Sequence, residues 1–268
     1  MGQVILQLFI VHGGIAVDKN DNLFVADCYN RLIRKISASN FFVSSFTIPT
    51  LVGSDNFYSP YNITVDKVSD DVYVTDFNRH LMRMDATGQM SVIYSDEMPL
   101  TGIGIAPDRK NLFITNNVAG TIIKTDMNGT NAGVFTSGLI TPRNIIFNSQ
   151  GKMFVAACPN SIYEINSNGT ATSVVNYPDF KGWEIAADTL GNFFLADHFD
   201  NCIKMIEQSG EVFTIAGSGD ATDVDGNGLE ASFNGPQGIT IDSKGNLYVT
   251  TFNYDTYGGN KVRKITIR

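Results

Sequence analysis

Five side chains suited to ligand recognition stand at regular intervals along this 268-residue chain. Two aromatic rings offer flat amphipathic faces, an arginine offers a charged fork, and an amide and a hydroxyl offer directional hydrogen bonds. Such a set is typical of a site for a sugar, a carboxylate-bearing small molecule or the end of a peptide. Each member lies two residues before an isoleucine, and we call them the mouth residues: Tyr61, Thr101, Arg143, Trp183 and Gln237.

The chemistry of the mouth residues has two alternatives. In the first, Trp183 and Tyr61 are packing material and Arg143 pairs with Glu184. In the second, the next position along the chain matters more, because Asn62, Asn144 and Glu184 supply three oxygens that could hold a divalent cation such as calcium. A metal held there would favour a metal-dependent hydrolase over a binding protein.

Other polar and aromatic residues support recognition more than catalysis. Tyr58 and Tyr254 lie in connections expected to open beside the mouth residues, with Phe57 and Phe180 nearby. A recurring carboxylate ends three apolar stretches just before tight turns, where we expect it to accept hydrogen bonds from the turn: Asp27, Asp76 and Asp197. The three histidines occupy unrelated offsets, so no shared histidine site is predicted: His12, His80 and His198.

The elements that must position these residues repeat along the whole chain. A five-residue apolar unit, with an aromatic residue second and Ala or Thr fourth, occurs six times and ends at residues 27, 76, 116, 157, 197 and 251. Three of the five intervals between copies are 40 or 41 residues, which indicates a repeat architecture. A second apolar stretch precedes each unit across a turn, such as Ser243-Lys244-Gly245-Asn246, so each pair predicts a β-hairpin.

Four short strands per repeat predict a six-bladed β-propeller of four-stranded antiparallel blades. The last repeat ends after its third strand, and the chain begins with a spare apolar strand, Val4 to Val11. We therefore expect the N-terminal strand to pair into the last blade and close the ring. A single domain over residues 1–268 is favoured over two β-domains, and the mouth residues should lie where the innermost strands enter the central channel.

The charge and composition of the chain disfavour several classes of binding partner. The formal net charge of −8 and pI of about 4.8 disfavour nucleic acid. The N-terminal apolar run is far too short to span a membrane, so no membrane insertion is expected. Three cysteines without a C-x-x-C pair do not form a disulfide framework; they are Cys28, Cys158 and Cys202. The compartment stays open, with secretion possible if a signal peptide has been removed.

The blades resemble NHL repeats. The resemblance is carried by Gly14-Ile15-Ala16-Val17-Asp18 and Asn30-Arg31-Leu32-Ile33-Arg34-Lys35-Ile36 in the first copy and by Pro236 to Asp242 in the last. It covers about the whole chain and implies a rigid ring that binds proteins, RNA or small molecules, with some relatives acting as enzymes. Copies three and four depart most, having Asn116 and Ala157 where that family usually has Asp.

The favoured function is a non-catalytic module that recognises a peptide, glycan or small molecule at one face of the channel. One alternative is a metal-dependent hydrolase or lactonase of the gluconolactonase-like type, using Asn62, Asn144 and Glu184. Another is a structural scaffold domain of a longer protein. No cofactor is expected under the favoured hypothesis.

Overall fold

The computed structural model describes residues 3–7, 13–47, 59–157, 161–176, 182–253 and 258–267. The strands of the first three blades are β2 (Ile15–Val17), β3 (Leu23–Asp27), β4 (Leu32–Ile36), β5 (Val43–Thr47); β6 (Pro60–Val65), β7 (Val72–Asp76), β8 (His80–Met84), β9 (Met90–Ser95); and β10 (Ile103–Ile105), β11 (Asn111–Asn116), β12 (Thr121–Asp126), β13 (Gly133–Thr136). Within each blade the strands pair in chain order and antiparallel.

The remaining blades follow the same plan. Their strands are β14 (Pro142–Phe147), β15 (Met153–Ala157), β16 (Ser161–Ile165), β17 (Ala171–Asn176); β18 (Gly182–Ala187), β19 (Phe193–Asp197), β20 (Cys202–Ile206), β21 (Val212–Ala216); and β22 (Pro236–Ile241), β23 (Leu247–Asn253), β24 (Gly258–Ile265), β1 (Gln3–Gln7). A short 3₁₀ helix, Gly228–Glu230, is the one helical element in the described part of the chain. None of the described helices could span a membrane.

The ring closes as the sequence predicts. Strand β1 pairs antiparallel with β24, with Gln3 opposite Lys264 and Gln7 opposite Lys261. Two further links join the last blade to the first: Ser243 donates from its amide and hydroxyl to Asp21, and the Thr250 hydroxyl donates to the Gly13 carbonyl at 3.1 Å. The fold is therefore an all-β, six-bladed propeller closed by its N-terminal strand.

The aromatic and small residues of the repeated unit explain how the blades pack. The five-residue repeated unit is wholly buried in all six blades, because the second strand lies in the middle of the sheet and is covered by a neighbouring blade on either face. Phe24 packs with the hydrophobic residues of the second blade, and Tyr73 packs with those of the third. The small residue lets the next blade approach closely, as where the Thr115 hydroxyl donates to the Arg143 carbonyl at 3.0 Å.

Removing residues 1–7 is expected to weaken the last blade, because β24 then loses its backbone partner and presents an open sheet edge. We expect the melting temperature, measured by circular dichroism, to fall by roughly 10 °C. A synthetic peptide of residues 1–11 added in trans should restore part of the loss by pairing with β24. A truncated chain that melts at the same temperature as the full chain would show that the closure contributes no stability. A peptide that restores none of a measured loss would contradict its pairing with β24 in trans.

Candidate functional site

Three of the mouth residues owe their position to irregular starts of the innermost strands. Ladder pairing jumps from Pro60 to Asn62 in β6 and from Pro142 to Asn144 in β14, so Tyr61 and Arg143 fall at the shifts. In β18 the jump runs from Gly182 to Ile185 and spans Trp183. A β-bulge changes the direction of a side chain. These residues therefore stand at one mouth of the channel instead of within the packing between blades.

Arg143 lies at the centre of this mouth. Its guanidinium carbon is 4.2 Å from the centroid of the Trp183 ring, and its Nη1 donates to the Tyr61 hydroxyl at 3.2 Å. Arg143 forms no ion pair, and its Nε is buried without a hydrogen-bond partner among the described residues. Arginine stacked on an aromatic face keeps its donor fork free for a carboxylate or phosphate. The predicted pairing of Arg143 with Glu184 is not observed.

Tyr61 and Trp183 are each supported by a second aromatic ring. The Tyr61 ring lies 5.3 Å from Phe77, and the Trp183 ring lies 5.6 Å from His198. Burial raises the pKa of Tyr61 to about 12, so its hydroxyl keeps its proton at neutral pH. Together with Arg143 these rings form a rigid, partly aromatic floor.

Thr101 and Gln237 are placed at the same level but are more deeply buried. Thr101 is fully buried, and its hydroxyl contacts the Thr115 hydroxyl at 2.9 Å and the Pro142 carbonyl at 3.2 Å. Gln237 donates to the Phe252 carbonyl at 3.2 Å. Thr101 therefore joins neighbouring blades, and Gln237 lines a cavity of only about 10 Å³ beneath the floor. Tyr58, Tyr254, Phe57 and Phe180 lie outside the described residues.

The three predicted oxygen donors link neighbouring blades. The Asn62 side-chain oxygen accepts from the Ile103 amide at 3.3 Å, and that of Asn144 accepts from the Ile185 amide at 3.2 Å. Glu184 accepts from the Ile239 amide of the next blade. In each case a side chain from one innermost strand binds the backbone of the following innermost strand.

Glu184 also crosses the channel. Its Oε1 accepts a hydrogen bond from the Asn62 side-chain amide at 2.5 Å. Burial raises its pKa to about 8, because the hydrogen bonds offset only part of the cost of a charge removed from water. Glu184 borders both the small cavity beneath Arg143 and a cavity of about 500 Å³ that lies along the channel on the other side. A neutral acid thus separates the two halves of the channel.

The recurring carboxylates act in turns as predicted. The Asp76 carboxylate accepts from the His80 amide at 2.6 Å, and Asp197 accepts from the Asp200 amide at 3.1 Å. Asp27 accepts from the Asn30 side chain at 2.9 Å and pairs with Arg34. All three are fully buried.

The remaining reactive residues are also accounted for by local structure. Burial raises the pKa of the Cys28 and Cys202 thiols to about 11, which disfavours nucleophilic thiolate at neutral pH. Cys158 and His12 lie outside the described residues. Among the described residues, no group of three or more His, Cys, Asp or Glu side chains could hold a metal ion.

Residues in the turns beside the mouth were not predicted. Phe77, His198 and Phe199 follow second strands directly, and they contact Tyr61, Trp183 or each other. Their sequence positions, one or two residues after the recurring Asp, could have identified them. Only the turn role of that Asp was predicted from the sequence, and no role at the mouth was predicted for Phe77, His198 or Phe199.

The fold is a six-bladed β-propeller, and the mouth around Arg143 is its candidate functional site. The chain matches no model of a known protein family, and no curated protein matches it. Solved structures show the fold. A protein of unknown function from Bacteroides thetaiotaomicron superposes with a TM-score of 0.78 at 18% identity, over 98% of this chain and 71% of that one.

Other structural neighbours have mixed functions. An auxiliary nutrient binding protein from Bacteroides thetaiotaomicron has a TM-score of 0.74 at 16% identity, over 96% of this chain and 69% of the other. A gluconolactonase from Xanthomonas campestris has a TM-score of 0.73 at 11% identity, over 98% of this chain and 88% of the other. A streptogramin B lyase has a TM-score of 0.71 at 15% identity, over 100% of this chain and 98% of the other. At these identities the likeness extends to the fold alone.

Proposed function

We propose that this propeller is a non-catalytic binding module whose ligand, a peptide, glycan or small molecule, presents a carboxylate to Arg143. The observation that carries the proposal is the guanidinium held between Trp183 and Tyr61, to which the described residues supply no acidic partner. A half-buried cation gains most from an anion that completes its hydrogen bonds. Because the chain is acidic, with a net charge of −8, this cation offers an anion local attraction against an unfavourable overall field.

The site is rigid, and a rigid site favours ligand binding. Arg143 is fixed by stacking and one hydrogen bond, and Tyr61 and Trp183 come from two other blades. A ligand therefore meets a preorganised surface and little has to be ordered on binding. The auxiliary nutrient binding protein described above gives an example of this fold in a binding protein. The proposal includes NHL-repeat membership and a single domain over residues 1–268.

The contacts of the three predicted oxygen donors disfavour metal-dependent hydrolysis. A divalent cation requires converging oxygens, at least some of them charged. Here the Asn62 oxygen binds Ile103, the Asn144 oxygen binds Ile185, and Glu184 faces an amide nitrogen of Asn62. With its pKa raised to about 8, Glu184 is neutral at pH 7. These three residues fit a divalent cation poorly, and we derive no reaction from one.

The test compares carboxylates with their uncharged analogues. Thermal shift and titration calorimetry would be run with N-acetylated amino acids, uronic acids and hydroxy acids, each beside its amide. We expect carboxylates to raise the melting temperature and the amides to leave it unchanged. Arg143→Gln should weaken binding by about tenfold or more, since it removes a charged hydrogen-bond donor.

Arg79→Gln is the matched control. Arg79 is an exposed arginine in the turn after β7, on the same face, and its Nη1 donates to the Glu97 carbonyl at 3.2 Å. It should retain the affinity of the wild-type protein. Equal binding by the Arg143 variant, equal binding of amides, or no response to any carboxylate would each contradict the proposal.

A further inference from the structure

Exposed apolar side chains stand in the turns around the Arg143 mouth. The first strand of each blade begins on this face, so antiparallel pairing brings the turns after second strands and the connections between blades to the same face. We call the exposed apolar residues in these segments the apolar rim. With their exposed fractions they are Tyr29 (50%), Phe77 (47%), Met98 (44%), Val118 (64%), Ile140 (62%) and Phe199 (60%).

The apolar rim is continuous with the floor around Arg143. The Phe77 ring lies 5.3 Å from Tyr61, which receives the hydrogen bond from Arg143. Phe199 lies 5.3 Å from His198, whose ring in turn lies 5.6 Å from Trp183. Apolar surface therefore extends outward from the cation on two sides.

The opposite end of the channel differs in character. The cavity of about 500 Å³ there is bordered by charged side chains at its outer end, including Asp66, Lys67 and Arg109. Asp66 and Arg109 form an ion pair at 2.6 Å. Exposed apolar residues also occur on the opposite face, as at Val68 and Leu190, but on the Arg143 face they adjoin a cation to which the described residues supply no ion pair. Such patches mark interaction sites.

We propose that this face binds the C-terminal segment of a polypeptide, with the free α-carboxylate on Arg143 and apolar side chains on the rim. The proposal rests on the carboxylate binding proposed above. A C-terminal residue joins its carboxylate and its side chain at a single carbon, so both can reach the floor and the adjoining rim together. An internal segment would bring apolar side chains but no carboxylate for Arg143.

The spread of the rim favours a polypeptide over a small molecule. Its residues belong to turns and connections of the first five blades, so covering them requires a chain of several residues.

The experiment measures binding of labelled pentapeptides by fluorescence anisotropy at physiological salt. The probes are Gly-Gly-Ala-Ala-Phe as the free acid, the same peptide as its C-terminal amide, and pentaglycine as the free acid. We expect the apolar acid to bind at least about tenfold more tightly than either of the others, because the amide lacks the charge and pentaglycine lacks apolar contact. The double variant Phe77→Ser, Phe199→Ser should lose the advantage over pentaglycine.

Phe42→Ser is the control for removing an exposed ring, because Phe42 is 68% exposed in the turn between β4 and β5, away from the mouth. It should bind as the wild-type protein does. If small carboxylates bind through Arg143 but the apolar peptide binds no more tightly than pentaglycine, the peptide proposal is overturned and carboxylate binding stands. If the amide binds as well as the acid, the peptide proposal fails too. If no carboxylate binds at all, both proposals fail.

Discussion

Replacing Arg263 by methionine is expected to lower the free energy of unfolding by about 3–5 kcal/mol. Arg263 is fully buried in β24 and holds the long connection that precedes the last blade. Its Nη1 donates to Asp223 at 3.1 Å and to the Ser232 carbonyl at 2.9 Å, and its Nη2 donates to Asp225 at 2.7 Å and to the Val224 carbonyl at 3.1 Å.

The cost arises from what the substitution leaves behind. The Asp223 side chain is only 5% exposed, and without Arg263 its nearest cation is Lys261 at 3.8 Å. The two carbonyls also lose their donors. A buried charge without its partner costs more than the pair contributes, so the loss should exceed that for an exposed ion pair.

Thermal and urea unfolding would measure the effect, with a fall in melting temperature of roughly 6–10 °C for a protein of this size. Lys264→Met is the matched control, because Lys264 is the next residue of β24 and lies over the Tyr248 ring at 5.5 Å, with no ion pair to the residues that the structure describes. It should cost less than about 1 kcal/mol. Arg263→Lys should fall between the two. Equal unfolding of the two methionine variants would refute the anchoring role.

The second prediction concerns Glu184→Gln, which should stabilise the protein by an amount that grows with pH. Burial raises the pKa of Glu184 from its ordinary value of 4.5 to about 8 in the fold. Below the lower value both folded and unfolded chains carry the proton, so the acid adds no penalty. Between the two values the unfolded chain releases its proton while the folded chain keeps it, and stability falls.

Glutamine removes this penalty while keeping an oxygen that can accept from the Asn62 side chain. At pH 5 the variant and the wild-type protein should unfold at similar temperatures. At pH 8 the variant should be more stable by the order of 3 kcal/mol. Glu211→Gln, at an exposed position, controls for the loss of one carboxyl group. Two results would contradict a neutral acid in the channel. One is a stability difference between the variant and the wild-type protein that stays the same from pH 5 to pH 8. The other is a calcium-dependent loss of stability in the Glu184 variant.

The fold was predictable because its signal repeats. An aromatic and a small residue recur at fixed offsets, and Phe24 and Tyr73 show that the aromatic member packs against the next blade. The closing strand was predictable because the last repeat lacks its fourth strand. Both inferences rest on backbone pattern and burial, which the residue order carries directly.

The candidate site was only partly predictable. The order of residues placed Tyr61, Arg143 and Trp183 at one mouth, and the structure brings them into contact. It did not show that Thr101 is fully buried between blades, because the direction of a side chain at an irregular strand start depends on its neighbours. The role of Phe77 beside Tyr61 likewise depends on contacts between residues on separate strands and turns.

The most direct measurement for carboxylate binding is the Nε–H resonance of Arg143 in protein labelled with ¹⁵N-arginine. This group is buried and makes no hydrogen bond to the described residues, so a bound carboxylate should change its environment more than that of any exposed arginine. Titration with N-acetylphenylalanine is predicted to shift the Arg143 signal and leave the Arg79 signal in place, whereas N-acetylphenylalaninamide shifts neither. An Arg143 resonance that stays fixed at saturating carboxylate, or that responds equally to the amide, would contradict the proposed site.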